Sequence, residues 1–154
     1  MLRSRTALGG MITAPHHLAA QAGRDILRDG GNAVEAMIAA AASIAVVYPH
    51  MNAIGGDGFW LISQPGKDPV AIRACGGAAG LATPDFYREQ GKAAIPARGP
   101  LAALTVAGAI GGWIKAAEIA KGLGGTLPMA RLVSDAVHHA KTGVPVTKSQ
   151  VELT

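Results

Sequence analysis

The sequence predicts an α+β fold in which Ala- and Gly-rich helices pack on an antiparallel sheet, and three observations carry that prediction. Residues 36–47 are mostly alanine and other apolar residues, with Ser43 as the only polar side chain, which marks a helix buried on most of its sides. Two short runs, 59–63 and 70–74, flank Gln64-Pro65-Gly66-Lys67-Asp68-Pro69, a turn-rich connection that reads as a hairpin loop. Finally, the chain is 49% hydrophobic, too apolar for disorder, yet only 4% aromatic with 21 glycines, so its core has to rely on close backbone approach. The 154 residues suffice for one domain with a real core.

Taken in order, residues 11–14 read as a short strand stopped by Pro15. His16 and His17 follow. Adjacent residues of an extended stretch point opposite ways, and no carboxylate or cysteine stands at ligand spacing, so the pair is read as structural or solvated. A helix is expected over 18–29, with Leu18, Ala22 and Ile26 on one face, joined by Ala19 and Leu27, and Arg24, Asp25 and Arg28 toward solvent. Gly30 and Gly31 suit its C-cap. Asn32 then caps the central helix, and Glu35, three residues on, can reach back to the Asn32 N–H. Pro49 ends that helix. Residues 55–58, Gly-Gly-Asp-Gly, are expected to reach positive φ in a tight turn before the first strand. This is no phosphate loop: a strand follows rather than a helix, and the Gly-Lys-Ser/Thr ending is missing.

Thr83-Pro84-Asp85 opens a short helix that Gly91 closes after Gln90, and 92–99 is irregular. Residues 100–121 read as one helix despite Gly108, Gly111 and Gly112, each costing about 1 kcal/mol of propensity. The expected return is close contact with a second helix, with Val106, Ile110 and Trp113 buried. After a turn at 122–127, a helix over 128–141 turns Met129, Leu132, Val133, Ala136 and Val137 inward. His138, His139 and Lys141 suit its C-terminal dipole better than metal ligation. Gly143 and Pro145 stop it, and 146–154 are expected to carry no further element.

Several function classes lose support. The net charge is +4, but the cations are scattered and not interleaved with aromatics, which argues against nucleic-acid binding. Cys75 is the only cysteine, so neither an internal disulfide nor a Cys-built metal site can form, and no cofactor is expected. The longest apolar run is about a dozen residues, too short to span a bilayer. Arg3 and Arg5 precede a stretch too short and Gly-rich for a signal-peptide core, so a cytoplasmic protein is expected, with a periplasmic or secreted one open if a leader is missing. Only 16% of residues are charged, low for a free surface, so the chain is either a tight Ala/Gly domain or a piece covered by other polypeptide.

The ordered set Gly30-Gly31-Asn32-Ala33-Val34-Glu35-Ala36, Pro49-His50 and Ile54-Gly55-Gly56-Asp57-Gly58-Phe59 resembles the start of the gamma-glutamyltransferase (gamma-glutamyltranspeptidase) family of N-terminal-nucleophile hydrolases. The likeness extends to residues 11–14, 18–28 and 84–145. It implies that residues 1–154 are the N-terminal portion of a four-layer αββα sandwich, an incomplete gamma-glutamyltransferase-like domain. It also implies a precursor that cuts itself, leaving a small subunit whose N-terminal threonine is the nucleophile and whose amine is the base. No such Thr-Thr-His-like motif occurs here, and Thr13, Thr105 and Thr126 stand in structural contexts, so no catalytic residue is expected in this chain. The implied partners are that remainder or small subunit and a gamma-glutamyl or other acyl-amide small molecule, with room for a homo-oligomer.

By the same resemblance, an arginine after the second strand pairs with the α-carboxylate of the gamma-glutamyl donor, in an Asp-x-Arg-Glu-x-Ala-Pro-like segment. Laid against that segment with Ala78 on its alanine, Cys75 falls on the arginine and Gly76 on the glutamate. A thiol cannot replace a guanidinium fork. Arg73 lies two residues earlier, on the same strand face if the strand persists, and could reach the same pocket. Arg73 and Cys75 are therefore the candidate substrate-binding residues. Either Arg73 substitutes, or the pocket takes a different acyl group, or the glutamyl site is lost. Asp57 stands where family members commonly have a small residue, as a turn-capping or altered pocket-wall residue. The competing class is a non-catalytic fragment or interaction module needing a complementing chain. A membrane-active helical protein is a weaker third.

Overall fold

The structure, a computed structural model, describes residues 6–102 and 105–153. It is an α+β fold: α1 (His17–Arg28), α2 (Ala33–Val47), β1 (Gly58–Ile62), β2 (Val70–Ala74), α3 (Pro84–Glu89), a 3₁₀ turn (Pro100–Ala102), α4 (Ala109–Gly122), α5 (Met129–Leu132), α6 (Ser134–Thr142) and α7 (Lys148–Leu153). The sheet is the antiparallel pair β1–β2. Helix α2 is the hub, packed against α1, α4, α5 and α6, and α4 lies in turn against both strands.

The centrality of α2 follows from its small side chains and from its start. Ala36, Ile38, Ala39, Ala40, Ala42, Ser43 and Val47 are all buried, on more than one side of the helix. Across the α1 contact, a Cβ on Gly23 would sit 2.8 Å from the Ala36 carbonyl oxygen and against the Ile12 side chain. At the N-terminus the expected capping box is complete: the Asn32 carbonyl oxygen of the side chain accepts the Val34 and Glu35 N–H groups at 3.1 and 3.0 Å, and Glu35 Oε2 accepts the Asn32 N–H at 2.8 Å. The box also reaches across the fold. Glu35 Oε1 accepts the Leu127 N–H at 2.8 Å, and Asn32 Nδ2 donates to the Ala120 carbonyl at 3.0 Å. Glu35 is 2% exposed, so its carboxylate is buried with both oxygens bonded to backbone N–H groups. The main cluster gathers Ala22 and Ile26 of α1, Ala39 of α2, Ile62 of β1, Ala120 of α4 and Leu132 of α5.

Other expectations need correction. Residues 11–14 form no strand; Ile12 instead packs under Gly23. Residues 55, 56 and 58 keep φ out of the positive region, whereas Gly30, as expected at a C-cap, has φ +87°. The helix expected over 100–121 begins only at Ala109; part of that expectation, 103–104, lies outside the described residues. The reason is an extended detour: Val106 exchanges backbone bonds with Gly76 and Gly77, at 3.0 and 3.1 Å, and Thr105 bridges Ala78. Gly108 is the N-cap of α4, and Gly112 packs on Ala74 and the Trp60 indole, so these glycines admit a strand rather than a second helix. Val106 and Ile110, expected inside, are exposed. The helix expected over 128–141 is broken at Val133, where Ser134 Oγ donates back to the Arg131 carbonyl, and Val137 is exposed. Residues 146–153 are not irregular throughout, because α7 forms behind Thr147, whose hydroxyl accepts the Gln150 N–H at 3.2 Å.

Candidate substrate site

The hairpin has two unlike faces. Its register pairs Gly58 with Ala74, Phe59 with Arg73, Trp60 with Ile72, Leu61 with Ala71 and Ile62 with Val70. Trp60, Ile62 and Ile72 face the core side. By the two-residue alternation, Phe59, Leu61, Ala71 and Arg73 share the opposite face, and all four are exposed. Arg73 thus stands directly across from Phe59 on a largely apolar surface. Among the described residues no carboxylate comes within ion-pair distance of its guanidinium.

The end of the hairpin nearest Arg73 is held by three glycine-bearing segments. Gly56 C=O accepts both the Gly108 and Ala109 N–H groups at 3.0 Å, while Gly76 N–H donates to Val106. A Cβ on Gly76 or Gly108 would collide with backbone, of Val106 and Ala74 respectively. The paired register ends at Gly58–Ala74, so Asp57 stands just before β1 and Cys75 just after β2. Asp57 is fixed there by Thr105, whose hydroxyl donates to its carboxylate at 3.3 Å. Cys75 is a half-buried free thiol.

Of the two residues singled out from sequence, Arg73 stands on the exposed face of β2, whereas Cys75 follows the strand's last residue, Ala74, so the strand does not persist to it as the shared face required. The sequence sets Thr105 in a structural context but not against Asp57, since that link spans 48 residues and no local pattern announces it. Beside the site, a groove of about 1410 Å³ opens between α2, residues 49–58, β1 and α4, with Met37, Ile44, Met51, Asp57, Phe59 and Trp113 in its walls. Arg73 and Cys75 lie outside it.

The histidines form no metal site: no group of three or more His, Cys, Asp or Glu side chains among the described residues could hold an ion. His16 is buried and caps α1 through Nδ1, which accepts the Leu18 N–H at 3.2 Å. It stacks on His17 with centroids 4.7 Å apart. Burial, followed by the neighbouring His17 and His139, pushes its pKa below the ordinary histidine range. At the far end of α2, Ser149 ties α7 to the corner, 3.3 Å from both the Tyr48 hydroxyl and His50 Nε2. Among the described residues no helix is long and apolar enough to cross a membrane.

The chain is similar to known proteins over most of its length. The profile of the family described as Gamma-glutamyltranspeptidase matches residues 19–154. An oxamate amidohydrolase proenzyme from Klebsiella pneumoniae is 56% identical over 155 aligned positions, covering 100% of this chain and 29% of that protein. A glutathione hydrolase-like proenzyme from Bacillus subtilis is 40% identical, covering 91% of this chain and 26% of its own length. Among solved structures, the gamma-glutamyltranspeptidase of Helicobacter pylori superposes with a TM-score of 0.82 at 29% identity, over 97% of this chain and 42% of that one. The chain thus spans less than a third of the length of the curated relatives it matches.

Proposed function

This chain belongs to the gamma-glutamyltranspeptidase family, and from that premise we propose that it forms the acyl-recognition part of a self-cleaving amidohydrolase acting on a small carboxylate-bearing amide of the oxamate kind. The observation that carries the reading is Arg73: a guanidinium exposed on an apolar strand face across from Phe59, with no carboxylate partner among the described residues. A fork of parallel N–H donors on such a surface suits a substrate carboxylate, held bidentately. The printed activity of the 56%-identical relative supplies the substrate class, and the half-buried thiol of Cys75 beside Arg73 supports a pocket unlike that of a gamma-glutamyl donor.

In this proposal the nucleophile comes from the rest of the precursor, as the N-terminal threonine of a second subunit. Its hydroxyl attacks the amide carbon, its own amine takes the proton and returns it to the leaving ammonia, and water then releases the acid. The contribution of this chain is orientation: fixing the carboxylate at Arg73 turns a bimolecular encounter into a positioned one. The proposal retains the cytoplasmic setting read from the sequence, which fractionation of the native protein checks.

The test uses the full-length processed enzyme. Oxamate is expected to exceed glutathione in kcat/KM by at least a hundredfold, and Arg73→Ala to lower oxamate turnover by about a hundredfold, the scale of a lost bidentate pair. Efficient glutathione turnover by the wild type would overturn the substrate assignment. Full oxamate activity in Arg73→Ala would remove the role given to that side chain.

A further inference from the structure

The groove between α2 and the hairpin runs along an edge. Every residue of β1 lines it, Phe59 and Leu61 from the outer face together with Trp60 and Ile62 from the inner one, and no residue of β2 does. A cavity over one face of the hairpin would meet alternate residues of both strands. This one therefore follows the rim of β1 that points away from β2.

On that rim the backbone is unpaired. The sheet stops at β1, and among the described residues the main-chain groups of 58–62 bond to β2 alone. An antiparallel strand turns about half its N–H and C=O groups toward one neighbour and the rest outward, so β1 presents a ladder that lacks its second strand. The facing wall is α2, whose Ala33, Met37, Ala41 and Ile44 form an uncharged stripe, with Met37 44% exposed. The charged residues of the groove, Asp57 and Lys67, stand beyond the two ends of β1. Main-chain hydrogen bonds on one side and an apolar wall on the other are what an added strand uses. A two-stranded hairpin is also marginal by itself, which a third strand remedies.

We propose that the free edge of β1 takes an extended strand of the second subunit, the one that supplies the nucleophilic threonine. This deepens the reading of the chain as one part of a self-cleaving amidohydrolase and rests on it. The chain spans 29% of the 56%-identical proenzyme, so a precursor of that length has ample chain to supply the strand. A strand added there lies about 4.8 Å from β1 and about 10 Å from β2. Its outer face then continues the face that carries Phe59 and Arg73, which sets the second subunit beside the carboxylate anchor.

Hydrogen exchange at single-residue resolution on the full-length processed enzyme reads both sides of β1 and needs no variant to fold. An occupied edge is expected to slow the outward amides of 59–62 by about a hundredfold or more relative to unstructured chain. An alternating pattern, slow toward β2 and fast outward, overturns the proposal. The occupant is identified by p-benzoylphenylalanine introduced at Met37, on the facing wall, which is expected to crosslink this chain to the second subunit. A link within the same subunit or to another copy of this chain, or protection that falls on dilution, overturns the choice of occupant. Oxamate turnover separates the two levels. A protected, crosslinked edge in an enzyme that does not hydrolyse oxamate upholds the docking and removes the substrate reading, whereas an alternating pattern in an active enzyme removes the docking alone.

Discussion

In its neutral form the His16 ring accepts the Leu18 N–H, and a protonated ring cannot accept through the same nitrogen. The folded protein therefore disfavours the charged form, in line with the lowered pKa that burial, His17 and His139 produce. The sign follows from proton counting. As pH falls, the unfolded chain takes up the proton first, near the ordinary histidine value of about 6.5, while folded His16 holds out to a lower pH. Its contribution to stability is complete above about pH 6.5 and is lost as pH falls from there through the depressed folded value. Asn at this position can cap without titrating. In thermal melts of the full-length protein between pH 7.5 and 5, His16→Asn is expected to lose less stability on acidification than the wild type. Parallel curves for the two would show that His16 does not carry the effect.

At the scale of elements, α4 shows how one glycine can be indispensable while its neighbour is not. A Cβ on Gly112 would stand 2.5 Å from the Ala74 Cβ and 3.2 Å from the Trp60 indole nitrogen, whereas Gly111 has open space around it. Helix propensity alone favours alanine at both by about 1 kcal/mol. Gly111→Ala is thus expected to stabilise by about 0.5–1 kcal/mol and Gly112→Ala to destabilise by about 1–3 kcal/mol, as overpacking does. Denaturant midpoints of the two variants check this, and equal shifts of the same sign would remove the packing argument. The same helix marks the limit of what was legible beforehand. Helix α2, its Asn32–Glu35 box, the α1 face and the hairpin are written in local spacing. The start of α4 is not, because residues 105 and 106 are drawn into extended backbone by partners near 77, about thirty positions away. The Asp57–Thr105 bond is hidden for the same reason. Helix α7 was legible in principle, since Thr147 and Gln150 stand at capping distance, but the short run behind them carries little apolar periodicity.

For the whole molecule, the telling asymmetry lies across the hairpin. Its inner face meets α4 and the core, while Phe59 and Leu61 on the outer face are 73% and 77% exposed. Large apolar side chains so exposed favour association of the free chain with itself. Residues 1–154 produced alone are expected to self-associate, and the double variant Phe59→Lys with Leu61→Lys to do so less. Light scattering over a concentration series decides: a monodisperse monomer at all concentrations would sink the expectation.

The two oxygens of Glu35 also have different histories during synthesis. One closes the box at Asn32, three residues away, and can do so as soon as α2 forms. The other meets Leu127, 92 residues later in the chain. At translation rates of about 5–20 residues per second, that oxygen goes roughly 5–20 seconds without its partner. Until then α2, the most apolar helix of the fold, lacks the clamp that joins its start to the far end of α4. Growing chains therefore pass through a period in which the central helix can pack on α1 but not yet on α4, α5 and α6, when chaperone capture or aggregation competes with completion of the core.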